Sequence, residues 1–277
     1  MRRLALVLAI GTGSGLGTSR PPIDPASCLV SMREVNRWTL SQEWREASGL
    51  AAAGDDRVWL HGDEVADLTL LSTVTGNPLA RTRFGKHPPR DDFEGSTMLG
   101  QVLYLVTSTG DLYRAALPAT GPIPAWLPFQ RTHTDVGREC EIEGLTTDAT
   151  PGVLLLACKT PYRKSLAGTV TLFRWDVNAG ARARPDRLTV PSSDLGERQF
   201  RTSDVARDAV TNQLLLLSSI DNRFAILAAD GHVLGSRRLG RRHPQPEGIA
   251  WLGAGRLAIS DEGGSGRATL TVYQCGP

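Results

Sequence analysis

A short pattern recurs five times along this chain, and a repeat of that kind leaves few folds open. In each copy a small or acidic residue precedes glycine and an aliphatic residue. A turn follows, then a strongly apolar run that ends in polar groups. The copies are Ser48-Gly49-Leu50 with Val58-Trp59-Leu60-His61-Gly62-Asp63, Glu94-Gly95-Ser96 with Val102-Leu103-Tyr104-Leu105-Val106, and Glu143-Gly144-Leu145 with Val153-Leu154-Leu155-Leu156-Ala157. A weaker fourth is Ser203-Asp204-Val205 with the run at 214–219, and the fifth is Glu247-Gly248-Ile249 with Leu257-Ala258-Ile259-Ser260-Asp261. The glycine positions lie roughly 44–60 residues apart, close to the ~40–50 residues of a four-stranded propeller blade with one insertion. The insertion is expected at 179–197, which is rich in Arg, Pro and Asp.

Further apolar runs at 111–115, 170–175, 224–227 and 269–273 supply third and fourth strands. No long 3.6-residue periodicity occurs beyond the N-terminus, so the class is all-β. A blade's sheet has two apolar faces and buries neither alone, so blades stack around an axis. The reading is a five-bladed β-propeller forming one domain over 30–277. A six-bladed ring follows only if the long interval hides a blade. Residues 35–40 are expected to return as the outer strand of the last blade and close the ring.

The 277 residues suit one such body, and 29 Gly with 17 Pro suit its many turns. Thirty-one basic against 29 acidic groups give a net charge of +2. That provides no field for nucleic acid, and no such partner is expected.

Arg2 and Arg3, the apolar run at 4–10 and the small residues at 11–17 read as a signal peptide over 1–20. The alternatives are an uncleaved anchor or lipidation at Cys28. The apolar stretch falls well short of the ~20 residues that span a bilayer, so no transmembrane domain is expected in the mature chain. The glycine-rich 11–17 stretch lacks the preceding strand that a dinucleotide loop needs. Export places the chain in the periplasm or outside the cell, where disulfides form. Cys140 and Cys158 flank a hairpin turning near 148–152; Cys28 and Cys275 lie where a closed ring brings its ends together. Four buried free thiols are the alternative.

Equivalent positions in successive blades lie at one height around the axis. Ser48, Glu94, Glu143, Ser203 and Glu247 are therefore expected at one mouth of the central channel. Three clustered carboxylates repel one another unless a cation compensates. Oxygen-only donors suit Ca²⁺ or Mg²⁺, so Glu94, Glu143 and Glu247 are the candidate metal ligands. The ends of the second strands add His61, Asp63, Lys159, Ser219, Asp221, Asp261 and Glu262 to the same rim. Lys159, or Arg201, neutralises the glutamates directly in the alternative without metal. A third reading has the glutamates cementing neighbouring blades through backbone amides.

His87, His133, His232 and His243 sit in polar loops and read as solvated. Trp126 reads as a loop anchor, and the Arg237-Arg238 and Arg241-Arg242 pairs as a solvated strip or a seat for an anionic partner. No GxSxG nucleophile motif occurs.

Taken together, these segments resemble the SdiA-regulated (YjiK-like) family of bacterial envelope proteins, relatives of the NHL-repeat propellers. The resemblance runs from about residue 35 to the C-terminus. It is carried by Ser48-Gly49-Leu50-Ala51 with Trp59-Leu60-His61-Gly62-Asp63, Phe93-Glu94-Gly95, Glu143-Gly144-Leu145, Gln245-Pro246-Glu247-Gly248-Ile249-Ala250 and Ile259-Ser260-Asp261-Glu262. The resemblance implies a five-bladed propeller with a calcium site and no settled activity. One departure is Thr107-Ser108-Thr109-Gly110-Asp111, where that family carries an acidic cluster. The function expected is a monomeric envelope binding or scaffold protein with Ca²⁺ at its channel mouth, whose partner is a small molecule or another envelope protein. The alternative is a metal-dependent hydrolase of a phosphorylated or other anionic ester, with a glutamate orienting water.

Overall fold

The computed structural model describes residues 23–179 and 186–276. The signal segment at 1–20 and the centre of the expected insertion lie outside the described residues.

Five four-stranded antiparallel sheets stand around a common axis. Blade one is β2 (Ala47–Ala52), β3 (Arg57–Gly62), β4 (Asp67–Ser72) and β5 (Pro78–Arg83), from the axis outward. Blade two is β6 (Phe93–Leu99), β7 (Val102–Thr107), β8 (Leu112–Ala116) and β9 (Phe129–Thr132). Blade three is β10 (Cys140–Thr147), β11 (Val153–Pro161), β12 (Thr169–Asp176) and β13 (Asp186–Pro191). Blade four is β14 (Asp204–Arg207), β15 (Leu214–Ser218), β16 (Arg223–Leu227) and β17 (Val233–Arg238). Blade five joins β18 (Pro246–Gly253), β19 (Arg256–Asp261) and β20 (Thr269–Cys275) to β1 (Met32–Thr39), the N-terminal strand, which pairs antiparallel with β20 and closes the ring.

The long interval holds no sixth sheet among the described residues. It is filled by the nine-residue β11, the fourth strand β13 and a 3₁₀ turn at Ser192–Leu195. The one α-helix among the described residues, α1 (Ser27–Val30), is a single turn, and no described helix is long and apolar enough to cross a membrane.

Continuous apolar runs become intelligible from the packing. Side chains alternate across a strand, so a strand between two blades needs apolar groups on both sides. Leu154 and Leu156 pack toward blade two with Tyr104 and Val106, while Leu155 and Ala157 pack toward blade four with Leu214 and Leu216. In turn Leu215 and Leu217 face blade five with Ile249 and Trp251. Five such clusters, one per interface, make up the core. Each fully buried leucine contributes roughly 1.5–3 kcal/mol.

The repeated glycines mark where inner strands approach most closely. A Cβ on Gly95 would lie 2.7 Å from the Leu145 amide nitrogen, and one on Gly144 would lie 2.9 Å from the Asp204 Cα. Only glycine leaves room for the ring at that level.

Both disulfides form, Cys28–Cys275 and Cys140–Cys158, with Cα atoms 4.6 and 5.7 Å apart. The first ties α1 to the end of β20 and so latches the ring. In the second, Cys158 pairs with Ile142 and Cys140 with Pro161, because two irregularities shift the β10–β11 register.

Candidate functional site

The residue before each repeated glycine sits on an irregular step of the inner strand. Register shifts fall between Ala47 and Gly49, Phe93 and Gly95, Ile142 and Gly144, and Pro246 and Gly248. Ser48, Glu94, Glu143 and Glu247 are thus β-bulge residues, lifted out of the ladder and re-aimed. What they do then depends on their chemistry. Ser48 Oγ donates to the Phe93 carbonyl of the next blade at 3.1 Å, and Ser203 Oγ to the Pro246 carbonyl at 3.2 Å. The serine copies therefore join neighbouring blades. The three longer glutamates reach into the mouth of the channel.

There they line a cup of about 200 Å³ together with Ser48, Glu46, Asp63, Lys159, Gln245 and Glu262. Six carboxyl groups and one ammonium share this small volume. Lys159 Nζ lies 2.5 Å from Glu143 Oε1, a partly buried, charge-assisted hydrogen bond. Ser219 and Gln245 lie beside Glu247 and favour its charged form, and Gln245 donates to Glu262.

Burial first, then mutual repulsion, raises these acids above their ordinary range. Glu94 is pushed up by burial and by Glu143 and Asp92. Glu143 is also pushed up by burial, against the pull of Lys159. Glu247, Asp63 and Glu262 move the same way, burial being the largest cause in each. Arg45, outside the cup, pairs with Glu46 at 3.4 Å and also draws on Glu262. With Lys159 that makes two cations against six acids, and the cup is short of positive charge.

Of the residues placed at this rim by sequence, Ser48, Glu94, Glu143, Glu247, Asp63, Lys159 and Glu262 come together, with Ser219 just behind Glu247. The others do not line it. His61 is fully buried one step below the rim, where it packs against Gly49. Asp261 is buried and holds His243 Nδ1 at 2.8 Å. Asp221 accepts the Ser218 hydroxyl at 2.7 Å and the Arg201 amide at 3.2 Å, which places the Arg201 backbone, not its guanidinium, in this network. Sequence reading missed Glu46 and Gln245, each two residues before a bulge residue in its copy of the repeat.

The loop readings also need correction. His243 is not solvated: it is 0 % exposed and bridges Asp261 and the Tyr273 hydroxyl, the latter at 2.6 Å. Trp126 is 45 % exposed, and the adjacent Leu127 supplies the buried anchor. Arg237 donates to the Cys28 carbonyl, while Arg238 and Arg242 pair with Glu197 and Glu34. Most of the basic strip is thus spent within the molecule.

Below the cup, Asp204 replaces the glycine of the fourth copy and closes the channel. Its carboxylate accepts the amides of Val205 and Ile249, both at 2.8 Å, with the Leu50 and Leu145 amides adding to the same field. Burial pushes this group well above its usual value while the amides pull it back. With 0 % exposure, Asp204 is reached by water from neither mouth.

The donor set of the cup is all oxygen apart from Lys159 and the Gln245 amide, the chemistry of a hard cation. In the present side-chain positions, however, no three carboxylate, imidazole or thiol groups among the described residues converge on one metal-sized point. Lys159 takes the place of a counter-ion.

No protein-family model matches the chain, and no curated protein matches it by sequence. Solved structures do resemble it. A PQQ-bound aldose sugar dehydrogenase from Streptomyces coelicolor superposes with a TM-score of 0.53 at 12% identity, covering 87% of this chain and 97% of its own. Glutaminyl cyclase from Myxococcus xanthus gives 0.56 at 14% identity, covering 89% and 97%. Both are β-propeller proteins. At such identity the likeness extends to the fold alone.

Proposed function

We propose that this protein is an extracytoplasmic binding protein that uses the carboxylate cup at its channel mouth to hold a cation, Ca²⁺ being the ion its oxygen donors suit best. The observation that carries this reading is the charge imbalance. With Glu46 paired to Arg45 at 3.4 Å, five further buried or half-buried carboxyl groups still share the one ammonium inside the cup, and Glu94 and Glu143 owe their raised affinity for protons chiefly to burial. A second positive charge relieves that cost. Glu94, Glu143 and Glu247, on bulges of three different blades, would contribute the ligands, with Lys159 giving up its bond to Glu143. Two disulfides, and a resemblance to the SdiA-regulated envelope family, support an exported location in the periplasm or outside the cell.

A hydrolase reading has one observation in its favour. Glu94 and Glu143 are adjacent and pushed upward, which is how general acids are made. The same cup repels an anionic ester, so binding is the better account.

The test is thermal unfolding at pH 6 and pH 8 in EDTA, Ca²⁺ or Mg²⁺. A carboxyl whose folded pKa is raised contributes stability below its unfolded pKa and loses it as pH rises through the folded value. The benefit of a cation therefore grows with pH. At about 100 Kd of Ca²⁺ the gain is ~2.7 kcal/mol, or roughly 5–10 °C in Tm. Lys159→Met should enlarge that shift, and Glu94→Gln with Glu247→Gln should remove it. An absence of any Ca²⁺ shift at pH 8 in both wild type and Lys159→Met sinks the ion reading.

A further inference from the structure

We propose that the opposite mouth of the channel is a second, separate binding site, taking a small molecule that joins an apolar body to one anionic group. It rests on different residues from the cup and stands whether or not the cup binds a cation.

The opposite mouth opens where the inner strands end. It encloses about 410 Å³, roughly twice the cup, and is lined by Met98 and the exposed Val210 with Thr97, Thr147 and Arg207, while Trp251 and Leu252 border it from the core between blades. Its surface is more apolar than the cup's, the range expected of small-molecule pockets. Asp204 seals the channel between the two, since its carboxylate is bonded across the axis and wholly buried. A molecule in one mouth has no route to the other.

Arg207 supplies the specificity. It closes β14 at the edge of this mouth, half-buried, and no carboxylate among the described residues lies within ion-pair distance of it. Its Nε and Nη2 donate to Thr147 Oγ1 at 3.1 and 2.9 Å, and its Nη1 to Asn212 Oδ1 at 2.6 Å. Three of five N–H groups are thereby spent on neutral acceptors, which hold the guanidinium still and leave two donors free. Burial lowers its pKa, in contrast to Arg81 and Arg131, whose carboxylate partners raise theirs. Asp148 and Asp208 act on it only from beyond ion-pair distance and do not cancel the cost of burial. A half-buried cation with no direct carboxylate partner is costly, and an oxyanion is the partner its planar fork fits.

The nearby acids do not fill that role. Asp148 is held by Arg174 at 3.0 Å and by the Thr150 amide at 2.8 Å. Asp208 is committed to the Val210 and Thr211 amides and the Thr211 hydroxyl. Asp55 stands on the turn of blade one, beside Gly253 of blade five.

The probe is 1-anilinonaphthalene-8-sulfonate, an aromatic body with one sulfonate, titrated by fluorescence into the purified protein. Saturable one-site binding is expected, with 2-naphthoate displacing it at least tenfold better than uncharged 2-naphthol. Arg207→Gln should weaken the probe tenfold or more at unchanged circular dichroism, and Glu143→Gln should leave it within twofold. Equal competition by 2-naphthol, or wild-type affinity in Arg207→Gln, overturns the proposal. Loss of binding in Glu143→Gln overturns the separation of the sites. A wild-type crystal soaked in 2-naphthoate needs no substitution: density against Arg207 supports the site, and density elsewhere or none refutes it.

Discussion

His61 shows how one residue type acquires a role its sequence position does not advertise. It ends an apolar strand among polar neighbours, yet its ring is buried, with Nδ1 donating to the Gly62 carbonyl at 3.0 Å and Nε2 left without a partner. It fits because Gly49, its ladder partner, has no side chain. Burial lowers its pKa from 6.5 to about 4. A histidine depressed in the folded state contributes stability that is complete above its unfolded pKa and is lost as pH falls through the folded value. Urea denaturation from pH 7 to pH 4 should therefore show wild type losing roughly 3 kcal/mol relative to His61→Leu. Parallel pH curves for the two proteins would refute the assignment. The residue was legible as a polar strand end; its inward direction was not, since the bulge at Ser48 shifts which positions reach the rim.

At the scale of the strand, the glycine before each inner aliphatic residue is a spacing device. Four inner strands carry it: Gly95 and Gly144 meet the backbone of the next blade, while Gly49 and Gly248 first make room for His61 and Ser260 of their own blades. Gly95→Ala would place a methyl group 2.7 Å from the Leu145 nitrogen, where neither side chain nor loop is available to yield. The expected cost is ~1–3 kcal/mol, read as a lowered urea midpoint with unchanged slope. Gly100→Ala serves as the comparison, since open space surrounds that position and only its positive φ of 60° opposes the substitution. Equal stability of Gly95→Ala and wild type would contradict the close approach. The apolar strands themselves were readable, because a strand packed on both faces must be apolar at every position. Asp204 was readable as the odd copy. That its carboxylate turns to the axis and takes amides from neighbouring blades depends on where those strands stand.

For the whole molecule, ring closure rests on two devices of different strength. The β1–β20 pairing completes blade five, and the Cys28–Cys275 disulfide locks it across 247 residues, against 18 for Cys140–Cys158. If loop-closure entropy dominates, the long bridge is worth ~5 kcal/mol and the short one ~3 kcal/mol. Cys28→Ser with Cys275→Ser should accordingly lower the unfolding free energy more than Cys140→Ser with Cys158→Ser. The reverse order would mean that strain or residual unfolded structure, not closure, governs the effect.

The chain's own order of residues pointed to the number of blades and to the strand that closes the ring, and it offered the two cysteine pairings that the structure forms. The blades follow from periodicity, which is written along one dimension, and the cysteine pairs follow from where a hairpin and a closed ring bring their ends. Only the assembled ring decided which polar groups at the channel mouth face the axis. Bulges aim the glutamates into the cup while Ser48 and Ser203 turn to neighbouring blades, and Lys159 settles on Glu143. Asp204 divides the channel in two. Such directions arise from contacts between blades far apart in sequence, where a single bulge reassigns a side chain from core to cavity.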